Sequence, residues 1–158
     1  MKRYLLAAFL FFACTGTYAQ SLSFSDMLNL TSMADAQSRD LLASSKGFKA
    51  AGNQTLNGKT YVLYTKLSKS TPDKNESVLV GAAIKNATGV LTHEIIFNTS
   101  QASDLDNLLA EAKKSNLTPV FQGADLTSNI YRFDNSLFRA SISLAFDKKS
   151  GNVDVQQK

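Results

Sequence analysis

The sequence predicts an α+β fold of two tandem repeats, each with one or more helices followed by a four-stranded antiparallel meander. Two helical segments that contain Leu-Leu-Ala match when Leu41 is aligned with Leu108, and four strand-like runs follow each of them. The last two runs of each copy match when Gly89 is aligned with Gly151. Alternating apolar and polar residues predict one sheet face against the helices and the other face open. The predicted divisions are a signal peptide at 1–19, a first repeat at 20–100 and a second repeat at 101–158.

Residues 1–19 have the pattern of a signal peptide. Two basic residues precede a ten-residue apolar run at 4–13, and Thr17 and Ala19 place small side chains before a cleavage point. The run is shorter than the about 20 apolar residues that a membrane span needs. The alternative is a buried N-terminal helix, but the order of basic residues, apolar run and small residues would then be a coincidence. We expect cleavage after Ala19 and export to the periplasm or extracellular space, with no transmembrane segment in the mature chain.

Cys14 permits a second interpretation, a lipoprotein signal. That motif has Leu and a small residue at the positions where this chain has Phe11 and Phe12. We therefore favour cleavage after Ala19, which removes the only cysteine and leaves a mature chain, 20–158, that a core rather than disulfides must stabilise. The mature chain keeps 15 basic against 13 acidic residues, so the formal charge falls from +4 to +2. This charge does not indicate a nucleic-acid partner.

The helices are predicted from apolar spacing and from end signals. In the second repeat, Ser103 is the expected N-cap of an amphipathic helix with one apolar stripe. The stripe consists of Leu105, Leu108, Leu109 and Ala112. In the first repeat, residues 25–33 form one expected helix, and Ser32 with Asp35 is the expected capping box of a second.

Eight strand-like runs complete the two repeats. Those of the first repeat are 48–52, 60–67, 78–85 and 90–98. Those of the second repeat are 118–122, 129–134, 137–147 and 152–157. Residues 68–77 are an expected loop, and glycines at 89 and 151 indicate hairpin turns between the last two strands of each copy.

The alignment of Gly89 with Gly151 preserves the faces of the third strands. It places Val80, Ala82 and Ile84 on Ile142, Leu144 and Phe146. A shift of one residue would have inverted every side chain. The second strands allow two alignments, which match Tyr131 and Phe133 either with Val62 and Tyr64 or with Tyr61 and Leu63, and we favour the former.

The residues that point away from the helices form the expected binding surface. In the run at 137–147, the residues predicted to point inward are Phe138, Ala140, Ile142, Leu144 and Phe146. Outward positions are small in the middle of the sheet, which predicts a shallow surface. The candidate partner-binding residues are Tyr61, Leu63, Thr92, Glu94, Arg132, Arg139, Ser141 and Ser143. Aromatic and arginine anchors around small residues are typical of protein interfaces.

This architecture resembles the β-lactamase inhibitory protein-like class of exported binding proteins. The resemblance rests on the Leu41-Leu42-Ala43 and Leu108-Leu109-Ala110 helices and the meanders after them, across most of residues 25–157. It is architectural, and it implies a protein that binds other proteins across a concave sheet formed by both repeats. The inhibitor has disulfides, whereas the mature chain has no cysteine, so no functional residue is carried over.

The sequence contains little that indicates catalysis. His93 is the only imidazole, and its alternation with apolar neighbours places it in a strand near the core margin. No helical zinc motif, phosphate loop or dinucleotide fingerprint occurs, and the acids near Asp104 and Asp147 are typical of helix starts and turns. A glycosidase that pairs Glu94 with a distant acid is the enzymatic alternative. We expect no enzyme, no cofactor and no metal.

Six Asn-x-Ser/Thr triplets allow two interpretations. They begin at Asn29, Asn53, Asn75, Asn86, Asn98 and Asn116. A eukaryotic secretory chain would carry glycans at some of them. In a Gram-negative exporter, which the short signal resembles, they are turn residues, and we favour that interpretation.

The sequence thus predicts an exported, non-enzymatic module that docks a protein partner on an open sheet face, as an inhibitor or an envelope assembly factor. The alternative is a periplasmic carrier that holds a lipid or another small apolar ligand between helices and sheet. A solid core with an uncovered sheet would favour the first, and an internal ligand-sized cavity the second. No oligomeric state is predicted.

Overall fold

An eight-stranded antiparallel sheet with helices against one face dominates the structure. The computed structural model describes residues 22–67 and 75–158. The predicted signal peptide with Cys14, and residues 68–74 of the expected loop, lie outside the described residues. The α+β class and the antiparallel sheet are confirmed.

Three α-helices and ten strands make up the described chain. The helices are α1 (Phe24–Leu30), α2 (Asp35–Asp40) and α3 (Ala102–Lys114), and a π-helical turn (Leu41–Ser45) continues α2. The strands of the large sheet are β1 (Lys49–Leu56), β2 (Lys59–Leu67), β3 (Asn75–Gly81), β6 (Glu94–Thr99), β7 (Thr118–Ala124), β8 (Ser128–Asp134), β9 (Phe138–Ala145) and β10 (Gly151–Gln157). A separate hairpin consists of β4 (Ile84–Lys85) and β5 (Leu91–Thr92).

The sheet is divided evenly between the two parts of the chain. Its order is β1-β2-β3-β6-β10-β9-β8-β7, so β6 and β10 pair at the centre. We call β1-β2-β3-β6 the first half and β10-β9-β8-β7 the second half. Strands β1 and β7 lie at the two edges, and each contains a β-bulge, between Ala50 and Gly52 and between Pro119 and Phe121. Bulges at both edges discourage strand addition there.

The core lies between the helices and one face of the sheet. Helix α1 buries Phe24, Met27 and Leu30, and α3 buries all four residues of the predicted stripe. They pack against a row of cross-strand partners formed by Tyr64, Val78, Phe97, Val153 and Ile142. Each fully buried side chain of this kind contributes roughly 1.5–3 kcal/mol.

The helix starts differ from those predicted. The capping box is at α1, where the Ser23 hydroxyl accepts from the Asp26 N–H and the Asp26 carboxylate accepts from the Ser23 N–H. Ser32 does not cap α2, because its hydroxyl donates to the Asn29 carbonyl at the end of α1. Helix α3 begins before the expected cap Ser103, with Gln101 as its N-cap.

The strands predicted at 78–85 and 90–98 are each interrupted. Strand β3 ends at Gly81, and β6 begins only at Glu94. Between them the His93 N–H donates to the Thr31 carbonyl at 2.7 Å, so the chain bonds to the α1–α2 connection instead of continuing in the sheet. The β4–β5 hairpin forms in this diversion, and its turn has Gly89 at φ 82°.

Other strand ends also differ from the predictions. Strand β3 already includes residues 75–77 of the predicted loop. Strand β9 ends at Ala145, so Phe146 lies beyond it and is 51% exposed instead of pointing inward. Ala140 and Ile142 are buried as predicted, whereas Phe138 and Leu144 are half-buried at the margin of the core.

Candidate functional site

The sheet face turned away from the helices is the candidate site, and we call it the open face. One row of direct cross-strand partners crosses it from edge to edge, and we call it the central row. Its members are Gly52, Leu63, Leu79, Ile96, Asp154, Ser141, Arg132 and Phe121. Because direct partners in an antiparallel sheet share a face, these side chains form a continuous surface. Its first half is apolar, and its second half carries charge and an aromatic ring.

The apolar part of the central row is formed by Leu63, Leu79 and Ile96. Leu79 lies between the other two and is buried, while Leu63 and Ile96 are half-buried. Three adjacent branched side chains on a solvent-facing sheet form a surface that a protein partner could cover.

Beside this patch, Tyr61 is held by a polar network. The Glu94 carboxylate accepts hydrogen bonds from Lys59 Nζ at 2.7 Å and from the Tyr61 hydroxyl at 2.8 Å. The Tyr61 ring lies against Gly81, where an added Cβ would come within 3.3 Å of Tyr61 Cε1. Burial, together with the hydrogen bond to Glu94, raises the pKa of Tyr61 to about 12. Tyr61 therefore lies on the open face, but it is only 3% exposed. Its ring supports the surface residues around it and offers almost no area for direct contact with a partner.

Asp154 lies where the two halves of the open face meet. Burial and the nearby negative charge of Glu94 raise the pKa of Asp154 to about 6, and Lys59 partly opposes that rise. Its Oδ1 is buried and has no hydrogen-bond partner among residues 22–67 and 75–158. A carboxylate in this environment costs stability when ionised.

Two arginines dominate the second half of the open face. The Arg132 guanidinium lies over the Phe121 ring at 5.2 Å from its centroid. Arg139 Nε is 3.9 Å from Asp134 Oδ2, a loose contact of an exposed side chain. Asp134 is also bonded by Lys158, and this hydrogen bond lowers the pKa of Asp134. A shallow depression of about 610 Å³ runs between the arginines and Asp154.

The structure places seven of the eight predicted binding residues on the open face. Leu63, Ser141 and Ser143 are half-buried within it, and Arg132 and Arg139 are exposed. Thr92 was placed wrongly, because it belongs to β5, is 1% exposed and donates to the Ile84 carbonyl at 3.4 Å. The diversion of the chain at His93 removes Thr92 from the large sheet.

Sequence reasoning missed Asp154 and Phe121. The alternation of polar and apolar residues in 152–156 is the signal that could have placed Asp154 outward, on the face opposite Val153 and Val155. Phe121 gave no such signal, because the bulge at residue 120 changes the alternation within β7.

His93 lies on the helix side of the sheet and is buried. Its Nδ1 is 2.7 Å from the Gly81 carbonyl oxygen, and its Nε2 is 3.5 Å from Asp35 Oδ1. Both ring nitrogens thus face oxygen atoms of neighbouring elements, and the ring joins β3 to α2. This environment indicates a structural position.

In the described part of the chain, no three His, Cys, Asp or Glu side chains cluster to hold a metal ion. None of the helices there has the length and apolar character needed to cross a membrane. In comparisons with known proteins, no family model, no curated protein and no solved structure matches this chain.

Proposed function

We propose that this chain is an exported, non-enzymatic module that docks a protein partner on its open face. The observation that carries the proposal is the central row, which combines an apolar trio with an arginine stacked on an aromatic ring. Buried apolar centres and Arg or aromatic anchors dominate binding energy at protein interfaces. Export follows from the predicted signal peptide.

The dimensions of the open face suit a protein better than a small molecule. Eight strands spaced about 4.8 Å apart span roughly 34 Å. That width can cover the roughly 800 Å² per partner of a standard protein interface. Its relief is low on both sides of the central strands, because Gly81 in β3 has no side chain and Ser141 and Ser143 in β9 have small ones.

We also propose that the sheet arose by duplication, with each half a four-stranded repeat. When Tyr64 is aligned with Phe133, both of which are buried, the bulge between Ala50 and Gly52 falls on the bulge between Pro119 and Phe121. The paired strands β2–β3 and β8–β9 overlay with Val62 on Tyr131 and with Val80 on Ile142, which supports the favoured alignment of the second strands and that of the third strands. The bulges support the proposal independently, since they played no part in that alignment.

A carrier that encloses a lipid between α3 and the second half of the sheet has weaker support. The cleft between α3 and the second half is about 260 Å³, lined by Leu105, Leu109, Tyr131 and Leu144 among others. Ligand pockets for small molecules are usually about 300–1,000 Å³. The helices bury their apolar stripes against the sheet at this place, which favours a packed core over a lipid chamber.

Site-directed photocrosslinking in the producing cells tests the docking proposal. A benzophenone amino acid replaces Arg132 on the open face, and a matched version replaces Leu126, which is 97% exposed in the β7–β8 turn. We expect a discrete crosslinked protein from position 132 only. Arg139→Glu should abolish that product, while Lys114→Glu, the same change to glutamate on the exposed surface of α3 and so on the opposite side of the sheet, should not.

Equal products from both positions, or a product insensitive to Arg139→Glu, would contradict docking on the open face. A saturating excess of purified unlabelled protein should also compete with the crosslink, because a specific interface has a limited number of sites. Circular dichroism of each variant checks that the sheet is retained.

A further inference from the structure

A groove on the helix side of the first half is a second candidate binding site, separate from the open face. It has a volume of about 500 Å³ and lies between α2 and strands β1, β2 and β3. Val62, Tyr64 and Val80 form its apolar base, and Ser38 and Arg39 of α2 line one side. Its volume lies within the range of small-molecule sites, and it is too small for a protein interface.

The groove exists because small side chains stand where the second half has large ones. Val62 pairs with Val80 as Tyr131 pairs with Ile142 in the second half. Ala82, which also lines the groove, aligns with Leu144, whose side chain packs against the core. Helix α2 has six residues and passes directly into the five-residue π-helical turn, whereas α3 is a regular helix of thirteen residues. The first half therefore leaves open the space that the second half largely fills.

Ser38 supplies an unused hydrogen-bonding group in this groove. It is 1% exposed, and its Oγ has no hydrogen-bond partner among the described residues. A serine within a helix usually donates to a carbonyl one turn earlier, and an unmade hydrogen bond at a buried hydroxyl costs roughly 1–3 kcal/mol. Such a group calls for an explanation, and a ligand that accepts its hydrogen bond would supply one.

The charge at the groove favours an anionic head group. Arg39 is exposed and forms no ion pair within residues 22–67 and 75–158. Asp35 also lines the groove, but its carboxylate faces His93 Nε2 at 3.5 Å and forms no ion pair with Arg39. The π-helical turn directly after α2 is an irregularity that often accompanies functional sites.

We infer that this groove binds a small amphiphilic carboxylate, with its apolar body over Val62, Tyr64 and Val80 and its carboxylate beside the Ser38 hydroxyl and Arg39. The carboxylate accepts the hydrogen bond that Ser38 Oγ otherwise lacks and pairs with the guanidinium. The site is independent of the open face, so failure of the docking proposal would not contradict this inference, and the reverse also holds.

Fluorescence titration with 11-(dansylamino)undecanoic acid tests the inference. The wild-type chain should bind this probe saturably, and the methyl ester of the probe should bind at least tenfold more weakly, because it lacks the anionic head. Val62→Tyr with Ala82→Leu, which copies the second half, should fill the groove and abolish binding. Ser38→Ala should weaken binding about tenfold, and Arg39→Gln severalfold.

Matched controls on the open face are Ser143→Ala and Arg139→Gln, which should leave probe affinity unchanged. Ser38→Ala should not lower the free energy of unfolding, so a loss of affinity in that variant reports the hydroxyl and not misfolding. Absence of saturable binding to the wild-type chain overturns the inference. Unchanged affinity in Ser38→Ala and Arg39→Gln overturns it as well, even where the filled variant fails to fold.

Discussion

The two halves of the sheet have similar strand pairings but differ in what covers them. In the second half, the thirteen-residue helix α3 packs its stripe against β9 and β10, and Tyr131 and Leu144 occupy the margin. In the first half, α2 and the π-helical turn after it leave Val62 39% exposed. The same framework thus gives a packed layer on one side and a groove on the other. Smaller side chains in the first half, Val62, Val80 and Ala82 against Tyr131, Ile142 and Leu144, account for the difference without any change in the order of the strands.

The connections between the last two strands of each half differ as well. In the second half a short turn leads from β9 into Gly151, whereas in the first half the chain leaves the sheet for the β4–β5 hairpin and returns through His93. The glycine permits close packing, and the histidine prevents continuous pairing because its N–H and ring bond elsewhere.

Gly151→Val should destabilise the protein by about 3 kcal/mol or more. An added Cβ at this position would lie 2.1 Å from the Ser143 carbonyl oxygen and 2.8 Å from Leu105 Cδ1. Both contacts are too short, so β10 or α3 must shift. Urea unfolding followed by circular dichroism measures the change, with the neighbouring exposed Ser150→Ala as the control. A loss below about 1 kcal/mol would show that α3 does not approach the sheet this closely.

Asp154→Asn should stabilise the protein by about 2 kcal/mol at pH 7 to 8. The pKa of Asp154 in the folded protein, about 6, lies above the ordinary value of 3.8. The native state therefore binds this proton more tightly than the unfolded chain, and its contribution to stability falls as pH rises from about 4 to 7. The gain from the substitution should consequently vanish near pH 4.

Asp106→Asn is the matched control for this pH dependence, since that carboxylate is exposed on α3. It should change the free energy of unfolding by less than about 0.5 kcal/mol at every pH. A pH-independent effect of Asp154→Asn would show that hydrogen bonding rather than ionisation at the border of the two halves sets the cost.

Much of this fold followed from local sequence patterns, and the parts that did not depend on distant contacts. Alternation in 138–145 predicted a strand and its two faces, because alternation is a property of neighbouring residues. The interruption at His93 depends on the Thr31 carbonyl, which is far away in the sequence. No local pattern signals such a bond.

In the candidate site, too, local patterns predicted some features, and others depend on contacts between distant residues. The open-face positions of Leu63, Arg132 and Ser141 were predictable, because alternation along a strand alone determines the face on which each side chain lies. Neither the sequence of β6 nor that of β10 indicates that these two strands pair. Their pairing brings Asp154 next to Glu94 and Ile96. The burial of Tyr61 likewise depends on Gly81 and Glu94 in neighbouring strands. Composition, the spacing of apolar residues and turn chemistry could not reveal these contacts.

Leu144→Ala and Ala82→Leu should change stability by different amounts if the two halves differ as described. Leu144 is half-buried against the core, so its truncation should cost about 1–2 kcal/mol, less than a fully buried leucine. Ala82 is exposed beside the groove, so Ala82→Leu should cost nothing measurable. Thermal and urea unfolding of both variants measure the contrast. Equal losses would indicate that the first half has no unfilled space.

The helix starts provide the smallest expected difference between the halves. Helix α1 opens with Ser23 and Asp26 in a capping box, whereas α3 opens with Gln101, which makes no side-chain cap, followed by Asp104 at the equivalent third position. Ser23→Ala should cost about 1 kcal/mol. Gln101→Ser should stabilise the chain by about 0.5 kcal/mol, because it recreates the Ser-x-x-Asp pattern and residue 101 already has the extended conformation of an N-cap.

The opposite outcome, no effect of Gln101→Ser beside a loss in Ser23→Ala, would show that Thr99 holds Asp104. The Thr99 hydroxyl lies 3.5 Å from the Asp104 carboxylate, which would then not be free to complete the capping box. Combining Gln101→Ser with Thr99→Val would then restore the gain relative to Thr99→Val alone.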